Sequence, residues 1–146
     1  MTTSSPLSEK LITVFGGSGY IGQYVAQSLL SRGARLRIAS RNPEKAFGLK
    51  PLANLGQLQF ARCDSTKEES LRAALHGADA VVNLVGAFEG NLTELMGEAP
   101  GQMASIASEN GASAFVHVSA IGPDENSSAE YARGKAIGEK RVFEAF

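Results

Sequence analysis

Three polar residues in the carboxyl-terminal part of the chain have the types and spacing needed to move a proton at a carbonyl or hydroxyl group. Tyr131 and Lys135 are four positions apart, so a helix would place the phenol and the ammonium on one face. The positive charge would favour the phenolate, and the tyrosine could then exchange protons. Ser119, which ends an apolar run, would orient the reacting group. The alternative for the Tyr131–Lys135 pair is a surface helix contact worth roughly a few tenths of a kcal/mol.

A glycine-rich segment near the amino terminus has the composition of a phosphate-binding turn. It follows an apolar run at residues 10–15 and precedes a pattern of helical period. Backbone N–H groups and the positive end of a helix dipole meet at such a junction, and both favour a pyrophosphate. The spacing also fits the dinucleotide fingerprint, whereas an isolated glycine cluster would mark only an ordinary turn. The predicted contacts are Gly16, Gly17, Ser18, Gly19, Tyr20, Ile21 and Gly22.

The end of the second predicted strand, residues 35–39, indicates which dinucleotide would bind. An acidic residue at this position reads a free ribose 2′-hydroxyl, and an arginine neutralises a 2′-phosphate. The chain has Ser40 and Arg41 here and no acid, which favours NADP over NAD. Arg35 and Arg37 are predicted to assist. The alternative for Arg41 is a solvated loop charge.

Further cofactor contacts are predicted where the third and fourth strands end. The third strand, residues 58–63, ends beside the adenine pocket of a dinucleotide fold, although an aspartate there can also simply cap a turn. The fourth, residues 80–85, is a continuous apolar run typical of a central parallel strand, and the glycine after it leaves room for a cofactor. The predicted contacts are Asp64, Ser65, Val85 and Gly86. Lys135 would also hold the nicotinamide ribose.

Two polar residues interrupt predicted core strands. Asn83 must find a partner in a dry place, either as a satisfied core amide or as a group on the cofactor side. His117, in a fifth strand over residues 114–119, is more typical of a hydrogen-bonded strand histidine than of a ligand. With one cysteine, two histidines and no clustered spacing, the sequence predicts no metal site.

Strand and helix patterns alternate along the chain, which predicts an α/β fold. We expect a Rossmann doubly wound parallel sheet of about five strands with helices on both faces and the ligand across the carboxyl ends of the strands. The predicted helices span about 20–32, 66–77 with Thr66 as its cap, part of 91–110, and 129–146. The 146 residues suit one domain, residues 1–146, with a flexible tail over residues 1–9.

Composition and charge exclude several classes of partner. Lys and Arg number 14 against 15 Asp and Glu, with no basic stripe, so the chain is not predicted to bind nucleic acid. No apolar run approaches the roughly 20 residues of a membrane helix, and the amino-terminal segment lacks a signal-peptide pattern. The single Cys63 fits a reducing compartment. We therefore expect a cytoplasmic protein.

Together these motifs resemble the short-chain dehydrogenase/reductase superfamily, in its extended or atypical branch. Within it the chain is most similar to relatives of the NADPH-binding accessory subunit of respiratory complex I. The resemblance is carried by residues 14–22, 83–86, 117–121 and 131–139. It implies firm binding of NADPH without an assigned turnover, and a location peripheral to a membrane complex.

The chain departs from this branch at two points. Phe15 stands where many catalytic members have a threonine before the first glycine. Members also continue through further strands and a carboxyl-terminal lobe that forms most of the substrate pocket, so the chain is predicted to be shorter than a full-length member. Two functions stay open: an NADP-dependent oxidoreductase or epimerase acting on a small carbonyl or hydroxyl substrate, and a non-catalytic NADPH-binding structural, assembly or redox-sensing subunit.

The fifth strand has no successor that could pair with it. An unpaired apolar edge over residues 115–118 invites pairing with another chain. We therefore expect this edge to be covered by a second copy of the chain, by a partner protein or by a region of a longer chain. The hypothesis for the isolated chain is a homo-oligomer, formed through this edge or the adjoining Tyr131 helix.

Overall fold

Short β-branched runs and helix-period segments alternate in the sequence, and within residues 4–146 they fold as five strands and four α-helices. The computed structural model describes residues 4–146. The strands are β1 (Leu11–Phe15), β2 (Arg35–Ser40), β3 (Leu58–Arg62), β4 (Ala80–Asn83) and β5 (Ala114–His117). The α-helices are α1 (Tyr20–Ser31), α2 (Glu68–Leu75), α3 (Ala99–Glu109) and α4 (Glu130–Ala145), with a 3-10 helix at Pro43–Leu52 and a π-helical turn at Glu94–Glu98.

The five strands form one parallel sheet in the order β3-β2-β1-β4-β5. In β1, Ile12 is in register with Leu36 on one side and with Ala80 on the other. The strand order reverses between β1 and β4, and this reversal opens a crevice at their carboxyl ends. The predicted Rossmann fold is confirmed.

Two apolar layers cover the two faces of the sheet. Buried side chains of β1 enter both layers: Phe15 packs with Leu71 and Met103 on the side of α2 and α3, and Val14 packs with Ala26 on the side of α1. All five residues of β1 are buried, as expected for the central strand of a doubly wound sheet.

Several element boundaries differ by one or two residues from those predicted. Strand β4 ends at Asn83 and β5 at His117, two residues earlier than the apolar runs suggest, because the chain leaves the sheet toward the crevice. Helix α2 begins at Glu68 without a side-chain cap. The prediction that Thr66 caps this helix is wrong, because its hydroxyl donates to the Asp64 carboxylate instead.

Helix α4 lies unusually close to the preceding helical segment. Four glycines spaced in pairs allow the approach: Gly97, Gly101, Gly134 and Gly138. A Cβ added to Gly101 would lie 2.7 Å from the Cβ of Arg141, and one on Gly134 would lie 3.1 Å from the carbonyl oxygen of Leu92. These contacts fix α4, and with it Tyr131 and Lys135, against the end of the sheet.

The outer edge of β5 pairs with no strand among residues 4–146. The side chain of Val116 is 53% exposed, whereas Phe115 is half-buried beneath the Phe146 ring at a centroid distance of 5.9 Å. Self-association through this edge stays a prediction. None of the helices within residues 4–146 has both the length and the apolar character needed to cross a bilayer.

Candidate functional site

A cleft of about 410 Å³ opens at the carboxyl ends of the strands, beside the point where the strand order reverses. It lies between the glycine-rich turn, the segments that follow β2 and β3, and the segment that follows β4. The predicted site residues that line it are Gly16, Ser18, Gly19, Ser40, Arg41, Ser65, Val85 and Gly86. The topology thus brings together residues from four separate parts of the chain.

The glycine-rich turn has the geometry of an anion-binding loop. Gly16 has φ +79°, and a Cβ there would lie 2.9 Å from the carbonyl carbon of Leu84, so only glycine fits. A Cβ on Gly22 would lie 2.5 Å from the carbonyl oxygen of Gly16, which shows how tightly α1 packs on the turn. Gly19 caps α1 without a side-chain hydrogen bond, so the first N–H groups of the helix remain available to a phosphate.

Four other residues of this turn and helix, which were predicted to contact the cofactor, do not line the cleft. Gly17 is buried against Ile38, and Gly22 is buried within the turn itself. Tyr20 and Ile21 are the first residues of α1, and their exposed side chains do not line the cleft. What Tyr20, Ile21 and Gly22 can offer a ligand is their backbone N–H groups at the start of the helix.

Asp64 also lies outside the cleft wall. Its Oδ1 accepts hydrogen bonds from the backbone N–H and the hydroxyl of Thr66, at 3.0 and 2.7 Å. These bonds hold the pKa of the Asp64 carboxyl below its usual value. The turn-capping alternative therefore describes this residue, and its neighbour Ser65 reaches the cleft in its place.

The prediction that Arg35 and Arg37 assist Arg41 is wrong. Arg35 lies at the opposite, amino end of β2 and donates from Nε to the carbonyl oxygen of Glu9. Arg37 donates from Nη1 to the carbonyl oxygens of Ala74 and His76, both at 2.8 Å. Its guanidinium thus satisfies the carboxyl end of α2 and cannot reach the cleft.

A second cation, which the sequence analysis did not identify, lines the cleft beside Arg41. Lys45 lies four positions after Arg41, in the first part of the 3-10 helix. Neither side chain forms an ion pair with any residue in 4–146, since the nearby Glu44 pairs with Arg62 instead. The sequence contains a signal for Lys45, because this residue lies two positions after Pro43, where a helical segment begins just beyond β2. Two unpaired positive charges therefore face the cleft where β2 ends.

Lys135 is almost completely buried and does not itself line the cleft, although its partner Val85 does. Its Nζ donates to the carbonyl oxygens of Val85 and Val118, both at 3.1 Å, and so links the segments that follow β4 and β5. Burial lowers the pKa of this ammonium. Nζ lies 6.0 Å from the centroid of the Tyr131 ring. With two of its three N–H groups engaged, the lysine retains one donor for a ligand.

The other two candidate catalytic side chains lie near the same end of the sheet. The Tyr131 ring stacks on Phe88, with centroids 5.0 Å apart and planes inclined by 15°. Phe88, on the loop after β4, is exposed, and no signal in the sequence indicated its contact with Tyr131. The Ser119 hydroxyl is buried and has no hydrogen-bond partner within residues 4–146, so it is available to a bound group.

Asn83 and His117 form a polar pair within the sheet. Nδ2 of Asn83 lies 3.1 Å from Nδ1 of His117, and Oδ1 of Asn83 accepts the backbone N–H of Val85 at 3.1 Å. Asn83 is thus a satisfied core amide. Burial, followed by the positive charge of Lys135, lowers the pKa of His117. Nowhere in residues 4–146 do three or more His, Cys, Asp or Glu side chains converge as metal ligands would.

Comparison with known proteins identifies the family of this chain. The model of the NmrA-like family matches residues 8–142. The chain belongs to the NmrA-like family. Members of this family and of the short-chain dehydrogenase/reductase superfamily bind nicotinamide dinucleotides.

One relative of this NmrA-like chain is NADH dehydrogenase [ubiquinone] 1 alpha subcomplex subunit 9, mitochondrial, from Rattus norvegicus. The two are 32% identical over 147 residues, which cover 97% of this chain and 39% of the relative. The chain therefore spans about two fifths of the length of this curated relative. The match confirms the predicted resemblance to relatives of a complex I subunit.

Two solved structures share the fold of this NmrA-like chain. Pen from Bacillus thuringiensis superposes with a TM-score of 0.83 at 15% identity, over 95% of this chain and 47% of that one. A short-chain type dehydrogenase/reductase from Mycobacterium ulcerans superposes with a TM-score of 0.74 at 22% identity, over 92% of this chain and 59% of that one. At these identities the likeness concerns the fold alone.

Proposed function

We propose that the chain binds NADP(H) in the cleft, with the pyrophosphate at the start of α1 and the ribose 2′-phosphate between Arg41 and Lys45. The observation that carries this proposal is the pair of unpaired cations at the end of β2. In a dinucleotide fold, an acid at this position would read a 2′-hydroxyl, and no acid lines the cleft here. Two cations suit the doubly charged 2′-phosphate.

The walls of the cleft fit a dinucleotide in two further respects. Gly19 begins α1 with uncapped N–H groups, as a pyrophosphate requires. Gly86 is exposed at the end of β4, and a Cβ there would meet no atom within 4 Å, so the packing of the protein does not require a glycine. A ligand that passes close to the backbone would explain it.

Removal of the two cations is expected to erase the preference for NADP⁺. Arg41→Ala and Lys45→Ala should each weaken NADP⁺ binding by about tenfold or more, because a charge-assisted phosphate contact is worth roughly 1.5 to 3 kcal/mol. NAD⁺ lacks the 2′-phosphate, so its affinity should change little. Isothermal titration of both cofactors at one salt concentration measures the difference.

Arg32→Ala is the matched control, since this exposed arginine ends α1 away from the cleft. It should leave both affinities unchanged. Equal affinities for NADP⁺ and NAD⁺ in the unmodified chain would remove the argument for 2′-phosphate recognition.

Two roles for the bound cofactor follow from different observations. The match of 97% of the chain to a mitochondrial NADH dehydrogenase subunit supports a structural, assembly or redox-sensing role at the periphery of a respiratory complex. The unpartnered Ser119 hydroxyl, with Tyr131 and Lys135 one helical turn apart, supports an oxidoreductase or epimerase acting on a small carbonyl or hydroxyl substrate. We favour cofactor binding as the common function. The cytoplasmic location expected from the sequence stays a prediction.

In the catalytic role the chain's own residues would handle the oxygen and the proton. NADPH, when bound, supplies a hydride. The Ser119 hydroxyl would donate to the substrate oxygen, and the Tyr131 phenol would pass its proton to that oxygen. Lys135 donates to the carbonyl oxygens of Val85 and Val118 and so fixes the segments after β4 and β5 relative to each other.

Tyr131→Phe separates the two roles. If the chain is an enzyme, turnover should fall about a hundredfold or more, because general acid catalysis typically contributes that much. NADP⁺ affinity should hold, since a phenyl ring still stacks on Phe88. NADPH oxidation over a panel of small carbonyl compounds is the assay. Unchanged turnover in the variant would show that Tyr131 does not transfer the proton, and tight binding without any turnover in the unmodified chain would support the subunit role.

A further inference from the structure

We propose that His117 is a positioning residue, which orients the cofactor-facing segment after β4 through the amide of Asn83. The inference rests on the proposed binding of NADP(H) in the cleft. His117 does not line the cleft, and it acts on the cleft wall only through the side chain of Asn83.

The main chain of Val85 is held on both sides by side chains. Its N–H donates to Oδ1 of Asn83, and its carbonyl oxygen accepts from Nζ of Lys135, each at 3.1 Å. Val85 and the following Gly86 both line the cleft. The position of this cleft wall therefore depends on which way the Asn83 amide faces.

His117 determines that orientation. Its Nδ1 lies 3.1 Å from Nδ2 of Asn83 and, when it carries no proton, can accept from that NH₂ group. This bond leaves Oδ1 facing the N–H of Val85. If the amide were reversed, its NH₂ group would face the N–H of Val85, and two donors would oppose each other.

The histidine ring is held in place by α4. Because Nδ1 accepts, the ring proton must be on Nε2, which is buried without a partner within residues 4–146. Nε2 lies 3.4 Å from the point where a Cβ on Gly138 would stand, so the helix backbone closes that side. The charged groups that face the ring are Lys135 and Glu139, both on α4. Burial and Lys135 favour the neutral ring, and Glu139 opposes them.

Protonation of His117 would place a proton on Nδ1 and remove the acceptor. The Asn83 amide would then no longer be held with Oδ1 facing the N–H of Val85, and the main chain of Val85 and Gly86 would be less firmly positioned. Since the pKa of His117 is lowered from 6.5, this change belongs to acidic pH, and the ring is neutral at pH 7.5.

Three proteins test the inference: the unmodified chain, His117→Asn and His117→Leu. Asparagine can place an acceptor oxygen where Nδ1 stands and cannot titrate, whereas leucine provides no acceptor. At pH 7.5, His117→Asn should bind NADP⁺ within about twofold of the unmodified chain, and His117→Leu about fivefold to tenfold more weakly. As the pH is lowered from 7.5 into the acidic range where His117 takes up its proton, the unmodified chain should lose more affinity than His117→Asn. The 2′-phosphate also titrates in this range, but its contribution is common to both proteins.

The backbone N–H resonance of Val85, observed by NMR without cofactor, gives an independent readout. It should shift with pH in the unmodified chain and stay fixed in His117→Asn. Identical pH profiles of affinity in these two proteins, or full affinity in His117→Leu, would overturn the inference. If Val85 titrates as expected but NADP⁺ fails to bind at pH 7.5, the proposed function fails while the Asn83–His117 link to Val85 stands. If Val85 does not titrate, the positioning role is wrong whatever the cofactor does.

Discussion

A valine at position 86 is expected to abolish NADP⁺ binding while leaving the fold as stable as before. Gly86 follows β4 and lines the cleft, and a Cβ there would meet nothing within 4 Å in the free protein. Its φ is not in the left-handed region, so a branched residue can adopt the backbone conformation. The added side chain would therefore occupy space that only a ligand needs.

The expected loss of affinity for Gly86→Val is at least about a hundredfold, or about 2.8 kcal/mol. Isothermal titration measures it, and thermal unfolding should give a melting temperature close to that of the unmodified chain. Gly48→Val is the matched control, because Gly48 also has open space around it but lies in the 3-10 helix, outside the cleft. Undiminished NADP⁺ binding by Gly86→Val would show that the cofactor does not pass over the end of β4.

The sheet and the phosphate-binding turn could be predicted because their signals are local in sequence. A β-branched run, a glycine cluster and a helix-period segment are adjacent at residues 10–31, and each constrains its neighbours. Gly16 illustrates this, since its left-handed φ is required by a turn that lies within the motif. Because parallel crossovers are right-handed, the reversal of strand order beside β1 places helices on both faces of the sheet.

The roles of the polar side chains could not be predicted because their partners are distant in sequence. Arg37 satisfies the carbonyl oxygens of Ala74 and His76, which are 37 and 39 positions away. Lys135 is held by the carbonyl oxygen of Val85, 50 positions away. Residue type and strand position alone suggested a phosphate contact for the arginine, whereas only the packed structure shows that its donors are already engaged.

The close packing of α4 was also missed, although the sequence contains a signal for it. Gly97 and Gly101 are four positions apart, as are Gly134 and Gly138, so each pair presents one smooth helical face. Such faces permit two helix backbones to approach closely. In the structure Gly97 lies against Gly134, and Gly138 lies against the backbone of Met96, and these contacts set the position of α4, with its Tyr131 and Lys135.

Gly138→Ala is therefore expected to destabilise the fold strongly. A methyl group at this position would overlap the carbonyl oxygen of Met96, and backbone cannot move aside as a flexible side chain can. Overpacking of this kind costs about 3 kcal/mol, and more where the backbone is rigid. For a chain of this size, the melting temperature should fall by roughly 10 °C.

The same displacement of α4 should also move Tyr131 and Lys135, which the helix carries. Moving the helix away from Met96 also withdraws Lys135 from the carbonyl oxygens of Val85 and Val118, so NADP⁺ affinity should fall together with stability. Gly48→Ala is the control, because it adds the same methyl group in open space and should leave the melting temperature within about 2 °C. Thermal unfolding monitored by circular dichroism, with and without NADP⁺, compares the variants. If Gly138→Ala melts at the same temperature as Gly48→Ala, then the position of α4 does not depend on backbone contact with the π-helical turn. The glycines would then not be what positions Tyr131 and Lys135.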